Sequence, residues 1–346
     1  MRVRRLVALL RRTAMVACLA ACSRGGSGAP EPVALSAVSQ TSGTTQLLIG
    51  VSPVNERVVW VSGTGGTYLR TSDGGATWQV GRVPGADTLQ FRDVYAVDSN
   101  TAWLLSIGNS ALSRIYFTRD AGRTWTLQFT NVEPKGFYDC LDFWSPRRGI
   151  AISDAVDGQT VVITTTDGGE RWRRIPAAEL PAALPGEGSF AASGTCVITG
   201  PGGHAWMAAG TPMARLLHTA DYGRTWSVDT IPLSGIASVS FRDLVNGIVL
   251  GSDSTAATAS THDGGRTWVR GGPPPFALGV YGGVYVPGTR RPTVVAVGPR
   301  GSAYSLDDGA TWIAIDGNAY WSVAFASPRA GWAVGPRGRI TRLGGF

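Results

Sequence analysis

The chain has 346 residues, with 47 glycines, 12 tryptophans and only 16% charged residues. This composition is typical of many short strands joined by tight turns and packed through aromatic side chains, and it excludes a mainly helical protein. The formal net charge of +7 falls to about +2 if five arginines leave with an N-terminal signal, so a basic face for nucleic acid is not indicated.

Residues 1–22 are typical of an export signal. A basic start precedes an apolar run over 13–21, which ends in Leu19-Ala20-Ala21-Cys22. Small residues before a cysteine resemble a bacterial lipobox, which implies cleavage and a lipid on Cys22. The alternatives are an ordinary signal peptide or a single membrane anchor, although the apolar run is too short to span a bilayer.

The segment after Cys22 is rich in Ser, Gly and Pro. We therefore predict a lipoprotein signal over 1–22, a flexible tether over 23–32 and a single folded domain over 33–346. The protein is expected to be exported and lipid-anchored to a bacterial membrane, facing the periplasm or the cell exterior.

One motif then occurs six times, first as Thr71-Ser72-Asp73-Gly74-Gly75-Ala76-Thr77-Trp78. A hydroxyl residue is followed by Asp two residues on, Gly two later and Trp three after that. An Asp in a tight turn accepts hydrogen bonds from downstream N–H groups, Gly supplies a positive φ, and the indole can fill a gap between neighbouring sheets. The aspartates of the six copies are Asp73, Asp120, Asp167, Asp221, Asp263 and Asp307.

These stretches resemble the Asp-box (BNR) repeats of sialidases, other glycoside hydrolase propellers and sortilin-type receptors. The fuller repeat, clearest in Gly331-Trp332-Ala333-Val334-Gly335 through Gly338-Arg339-Ile340, is similar to the photosystem II stability/assembly factor-like group. That group includes bacterial propellers of no established function, some of them labelled oxidoreductase. The resemblance implies a β-propeller, and it also implies docking on a partner protein.

The spacing of the motif predicts an all-β, seven-bladed propeller. Successive aspartates lie 47, 47, 54, 42 and 44 residues apart, which matches one four-stranded blade per repeat. In the sixth blade the strands are expected over 280–286, 293–297, 302–306 and 311–315. A half-repeat over 321–343 lacks its outer strand, which we expect the N-terminal residues 32–38 to supply. A six-bladed ring with frayed ends is the alternative.

Propeller topology separates two faces. The Asp boxes share one face with the turns between first and second strands, and the blade-to-blade connections lie on the other. Because six copies around a ring cannot converge on one substrate atom, we predict structural roles for the six Asp-box aspartates. The functional site is expected on the opposite face and at the mouth of the channel.

Only Cys140 and Cys196 remain once the signal is removed. They occupy similar positions in neighbouring repeats, so either a disulfide or two buried free thiols is expected. No Cys-x-x-Cys and no Cys/His cluster is present in the sequence, so neither a metal site nor another cofactor is predicted.

Acidic residues provide the first candidate site. The long connection over 176–189 and the neighbouring turn over 153–158 could bring Asp154, Asp157 and Glu187 together near the channel mouth. Asp154 and Glu187 could then serve a two-carboxylate glycosidase. The alternative is that all three are solvated loop acids.

A sialidase would additionally need an arginine triad. Arg92 and Arg242 begin comparable Arg-Asp pairs, but the sequence offers no third matching arginine. No dinucleotide fingerprint supports an oxidoreductase.

Arginines provide the second candidate site. Arg300 and Arg337 lie in twin Val-Gly-Pro-Arg-Gly turns, and Arg339 follows closely. Arginine forks suit carboxylates or phosphates on a partner, whereas the alternative is that these arginines only confer solubility. We therefore predict a monomeric, non-enzymatic binding or assembly scaffold for an unidentified protein partner, for which a membrane complex is a candidate. A glycoside hydrolase acting on glycans at the propeller face is the alternative.

Overall fold

The computed structural model describes residues 35–252, 255, 257–276 and 279–346. The predicted signal, the tether and the lipid attachment at Cys22 lie outside the described residues, which all belong to one compact unit, Val33–Phe346. Among the described residues, no helix is sufficiently long and apolar to cross a membrane.

In the described part of the chain, twenty-eight strands form seven four-stranded antiparallel sheets, which confirms the predicted seven-bladed propeller. Blades 1 and 2 comprise β2 (Leu48–Pro53), β3 (Val59–Gly63), β4 (Thr67–Thr71), β5 (Gln79–Arg82), β6 (Phe91–Ala96), β7 (Ala102–Ser106), β8 (Arg114–Thr118) and β9 (Thr126–Thr130). Blades 3 and 4 comprise β10 (Tyr138–Ser145), β11 (Arg148–Val156), β12 (Gln159–Thr165), β13 (Arg173–Arg174), β14 (Val197–Thr199), β15 (Ala205–Ala209), β16 (Arg215–Thr219) and β17 (Ser227–Thr230).

Blades 5 and 6 comprise β18 (Ser238–Phe241), β19 (Gly247–Leu250), β20 (Thr258–Thr261), β21 (Val269–Arg270), β22 (Gly282–Tyr285), β23 (Val294–Gly298), β24 (Gly301–Ser305) and β25 (Ile313–Asp316). Blade 7 contains β26 (Ser322–Ser327), β27 (Ala330–Gly335), β28 (Arg339–Gly344) and the N-terminal β1 (Ser36–Gln40). Each inner strand contacts the inner strand of the next blade, and β26 contacts β2, so the sheets close into a ring. Short 3₁₀ turns occur at Ser110–Leu112, Ala177–Glu179, Pro201–Gly203 and Pro336–Gly338.

The core lies between blades, where the second strands contribute large aromatic side chains. Trp60, Trp103, Trp206 and Trp332 are among the largest fully buried side chains. Trp206 of blade 4 stacks on Phe241 of blade 5, with ring centroids 4.0 Å apart. Burial of each such side chain stabilises the fold by roughly 1.5–3 kcal/mol, so the ring is held mainly by blade-to-blade packing.

The Asp boxes are hydrogen-bonded turns between third and fourth strands. In the first copy, Asp73 Oδ1 accepts the hydroxyl of Thr71 (2.7 Å) and the N–H of Thr77 (3.0 Å), while Oδ2 accepts the Thr77 hydroxyl (2.6 Å). These bonds hold the pKa of Asp73 well below its usual range. In the third copy Arg171 replaces the second threonine, and Asp167 keeps the backbone bond from Arg171 (3.0 Å). The aspartates are therefore engaged by their own turns.

The N-terminal strand completes blade 7. The strand predicted over 32–38 lies at Ser36–Gln40, where it pairs with β28 from Ser36↔Gly344 to Gln40↔Ile340. Gln40 donates to the carbonyl of Gly74 (2.9 Å) and accepts from the indole of Trp78 (3.3 Å), both in the Asp box of blade 1. The outer strand of the last blade thus bonds to the first blade.

Two faces follow from this topology. We call the face with the Asp boxes and the first-to-second-strand turns the Asp-box face. The connection face carries the blade-to-blade connections, including 41–47 and 175–196, and the second-to-third-strand turns.

Candidate functional site

A disulfide joins blades 3 and 4 beneath the connection face. Cys140 and Cys196 are bonded to each other, and both are fully buried. They lie at the beginning of the inner strands of adjacent blades, and of the two alternatives considered from the sequence the structure contains the disulfide.

The long connection before blade 4 enters the channel. Ser193 O accepts the hydroxyl of Ser322 from blade 7 (3.1 Å), and Ala191 O accepts Nη1 of Arg92 from blade 2 (2.8 Å). Gly194 has φ +76°, and a Cβ there would overlap the carboxylate of Asp93. Residues 190–195 therefore connect opposite blades through hydrogen bonds at the channel mouth, and we call them the channel segment.

A pocket of about 360 Å³ opens beside the channel segment. The residues that matter for its chemistry are Arg92, Asp139, Asp154, Phe190, Tyr281 and Trp321. Tyr281 packs edge-on against Trp321 (centroids 4.8 Å apart) and also contacts Phe190 (5.6 Å). We call this cavity the channel pocket. It combines an aromatic wall with groups of both charge signs.

Bulges at the start of three inner strands help to position the residues around the channel mouth. Register shifts at Leu48/Gly50, Phe91/Asp93 and Tyr138/Cys140 leave Ile49, Arg92 and Asp139 as the extra residues. Tyr281 and Trp321 occupy the matching position immediately before β22 and β26. Bulges redirect side chains, and here they place Arg92 and Asp139 in the channel pocket.

The two acids of the channel pocket differ in their hydrogen bonding. Asp139 is 1% exposed, and its Oδ2 has no hydrogen-bond partner among the described residues. Burial, and then the negative charge of Asp154, raises the pKa of Asp139 well above its usual range. Asp154 Oδ1 accepts the N–H of Ser189 (3.0 Å), and burial raises the pKa of Asp154.

Glu187 is not brought into the channel pocket with Asp154. It is buried and paired with Arg215, whose Nη1 lies 2.9 Å from Oε1 and 3.0 Å from Oε2. It faces a separate small cavity that Met207 and Leu217 also line. The exposed Asp157 pairs with Lys135 at 2.6 Å. The carboxylates considered for a glycosidase therefore point to different places, and this arrangement does not favour a two-carboxylate mechanism.

The arginines considered for a sialidase are also separated. Arg92 lies at the beginning of β6, on the connection face, whereas Arg242 follows the end of β18, on the Asp-box face. Arg242 faces Tyr285 (5.9 Å to the ring centroid). Two arginines at opposite ends of the ring cannot hold one substrate carboxylate.

A second concave surface lies between blades 7 and 1. This open groove has a volume of about 710 Å³, and Arg82, Arg337 and Arg339 line it together with the 39–46 segment. Arg339 donates to Asn318 (2.8 Å) and lies over the ring of Tyr320. We call it the arginine groove. Arg82 was not among the residues predicted from the sequence.

The twin turns differ in conformation. Arg337 has φ +58° and Gly338 φ +68°, while Arg300 lies outside the left-handed region. Gly338 donates to Gln46 O (2.8 Å), and a Cβ at Gly338 would overlap the Thr44 carbonyl oxygen. Arg300 is exposed but does not line the arginine groove. Of the three predicted arginines, two therefore share a surface.

Metal-type ligands are not grouped in the part of the chain that the structure describes, where no cluster of three or more His, Cys, Asp or Glu could hold an ion. Two histidines do lie together, with His204 Nδ1 at 2.9 Å from His218 Nε2. Burial and the neighbouring His204 lower the pKa of His218 to about 4.

The comparisons with known proteins identify similar folds. No family model and no curated protein matches the chain. A structure of YCF48 bound to a D1 peptide has a TM-score of 0.66 at 18% identity, and the match covers 90% of this chain and 94% of that chain. YCF48 from Cyanidioschyzon merolae has a TM-score of 0.68 at 16% identity, with 89% and 98% covered. The WD40 propeller domain of Doa1 has a TM-score of 0.64 at 13% identity, with 90% and 97% covered. These matches show the fold.

Proposed function

We propose that this protein is a lipid-anchored, extracytoplasmic scaffold that binds a protein partner in the arginine groove. The observation that carries the proposal is the groove itself, which is open, sits on the connection face and is lined by three arginines. Neither Arg337 nor Arg339 is ion-paired within the described residues, and Arg82 reaches Asp87 only at 4.0 Å.

The charge of the groove indicates the chemistry of the partner. Guanidinium groups bind carboxylates through paired N–H donors, so an acidic segment of the partner is the expected ligand. The opposite wall, over 41–46, offers hydroxyl and amide groups but no charge. Two similar structures support a protein ligand, because one is YCF48 bound to a D1 peptide and the other is the WD40 propeller domain of Doa1.

Affinity purification from the native membrane tests this function. The bait is the full-length protein, compared with the variant Arg82→Glu/Arg337→Glu. The matched control is Arg147→Glu/Arg290→Glu, which changes the same charge at exposed turns on the Asp-box face. We expect the groove variant to lose the main partner and the control to retain it. Equal recovery by both variants would refute docking in the arginine groove.

A further inference from the structure

A pocket of about 290 Å³ lies between blades 5 and 6 on the Asp-box face. Arg242 and Asp243, which follow β18, line one side of it, and the turn between β22 and β23 lines the other. We call this cavity the turn pocket. It shares no lining residue with the arginine groove, which lies on the connection face.

Two arginines of the turn pocket are accessible. The side chain of Arg242 is 35% exposed; its guanidinium lies over the ring of Tyr285 and reaches Asp243 Oδ2 only at 4.0 Å. Arg291 is exposed, and its guanidinium is not ion-paired with any described residue. Both guanidinium groups therefore retain N–H donors that a ligand can reach.

The acid of the turn pocket is engaged by its own turn. Asp243 Oδ1 accepts the N–H groups of Val245 (2.9 Å) and Asn246 (2.7 Å), and Oδ2 accepts the side-chain amide of Asn246 (2.8 Å). Asp308, which accepts the hydroxyl of Tyr285 (2.6 Å), does not line the pocket. The two arginines outnumber the single lining acid, so the residues around the pocket carry a net positive charge.

The turn of blade 6 lacks an acceptor that most other turns on this face contain. In five blades a side-chain oxygen in the first-to-second-strand turn accepts N–H groups from residues two or three places later. These residues are Asn55, Asp98, Ser145, Asp243 and Ser327. In blade 6 the N–H groups of residues 288–291 donate to no other described residue. Each of these four residues is exposed or half-buried, so an external oxyanion can reach the turn.

We propose that the turn pocket binds the phosphate group of a small phosphate monoester. Two guanidinium groups and the N–H groups of the turn offer more donors than the two oxygens of a carboxylate can satisfy. A phosphate monoester presents three terminal oxygens and a charge of about −1.5 to −2 at pH 7. The half-buried Phe241 and Pro292 supply apolar surface for the organic part of the ester. The volume of about 290 Å³ restricts the ligand to a small molecule.

Isothermal titration of the full-length protein with glycerol 3-phosphate tests this site. Glycerate is the matched probe, because it carries a carboxylate in place of the phosphate ester. We expect glycerol 3-phosphate to bind with one-to-one stoichiometry and at least about tenfold more tightly than glycerate, since glycerate satisfies fewer charge-assisted donors. No binding of glycerol 3-phosphate at millimolar concentration, or equal affinity for glycerate, would overturn the proposal.

Variants locate the binding event. Arg242→Gln and Arg291→Gln each remove one guanidinium and should each weaken glycerol 3-phosphate about tenfold. Because Arg291 is exposed, its replacement keeps the test valid if Arg242→Gln does not fold. Arg147→Gln is the matched control, since Arg147 is an exposed arginine in the corresponding turn of blade 3, and it should leave binding unchanged. Equal affinity in wild type, Arg242→Gln and Arg291→Gln would show that the ligand binds elsewhere and would overturn the assignment.

A soluble ester and a lipid headgroup carry the same phosphate chemistry, and nanodiscs distinguish the two sources. Glycerol 3-phosphate is titrated beside phosphatidylcholine nanodiscs and again beside nanodiscs that contain phosphatidate. A weaker apparent affinity beside phosphatidate would support the site and identify a lipid headgroup as a ligand that competes for it. An unchanged affinity would support the site with a soluble ester as its ligand.

Paired double variants separate this site from the scaffold function. Arg242→Gln/Arg291→Gln should lose glycerol 3-phosphate binding and retain the protein partner. Arg82→Glu/Arg337→Glu should lose the partner and retain glycerol 3-phosphate binding. Loss of glycerol 3-phosphate binding in both double variants would contradict a site that is independent of the arginine groove.

Discussion

Removal of the Cys140–Cys196 bridge should destabilise the propeller strongly. The bond links residues 56 apart in sequence, and the chain-entropy account assigns a cross-link of this span about 4 kcal/mol. Both cysteines are fully buried in one core cluster with Ile150, Ile152 and Val197. Replacing both by alanine also removes two buried sulfur atoms, at a cost of about 1 kcal/mol each. We therefore expect Cys140→Ala/Cys196→Ala to lose about 5–6 kcal/mol.

Guanidinium unfolding, followed by tryptophan fluorescence, measures this loss. The double variant should unfold at a markedly lower midpoint than the oxidised protein. Wild-type protein that is unfolded in reductant and refolded without oxidation separates the contribution of the cross-link from that of the buried sulfur atoms. This reduced protein should be more stable than the double variant only by the packing of its two sulfur atoms. An unchanged midpoint in the double variant would show that the bridge does not stabilise the fold, and non-reducing peptide mapping that finds both thiols free would show that the bridge is absent.

Gln40→Ala should lower stability by about 1–3 kcal/mol, because it removes two hydrogen bonds between blades 7 and 1. Gln128→Ala is its matched control, since Gln128 likewise donates to an Asp-box carbonyl of the next blade, that of Gly168, and accepts an indole N–H, here from Trp103 of its own blade. A neutral Gln40→Ala beside a costly Gln128→Ala in thermal melts would contradict closure through β1. His218 has a pKa of about 4 because of burial and His204, so the unfolded chain binds a proton near pH 6.5 that the folded chain does not, and stability falls as pH drops from about 6.5 to 4. His218→Gln should reduce this pH-dependent loss of unfolding free energy by about 1–2 kcal/mol, because solvent screens the partly exposed side chain. Identical pH profiles of wild type and variant in urea titrations would disprove the assignment to His218.

The architecture could be predicted because its determinants are local. In each Asp box the carboxylate bonds to residues two before and four after it, as Asp73 does with Thr71 and Thr77. Such contacts repeat with the sequence, so their period predicts the blades. The expected strands of the sixth blade agree with β22–β25 to within a few residues.

The candidate sites depend on distant contacts, which spacing does not encode. Glu187 is neutralised by Arg215, 28 residues away, so a residue expected at the channel mouth belongs to a buried ion pair. Asp139 reaches the channel pocket through a bulge in β10, which the spacing of the repeats does not reveal. The signal available in the sequence was the equivalent repeat position at the beginning of each inner strand, which Arg92, Tyr281 and Trp321 also occupy.

The arginine patch was predicted only in part for a similar reason. Arg300 and Arg337 share a sequence motif, but only Arg337 adopts φ +58°. Its turn packs on the 41–46 connection, which exists because the N-terminal strand completes blade 7. The groove therefore arises from ring closure, and Arg82 reaches it from the outer strand of the first blade.

Site-specific photo-crosslinking in native membranes tests whether a protein partner docks in the arginine groove. A photoreactive residue replaces Arg337 in one protein and Arg147, on the Asp-box face, in another. Docking in the arginine groove should give a discrete crosslinked protein from position 337 and none from position 147. Crosslinks to the same protein from position 147 alone would contradict it.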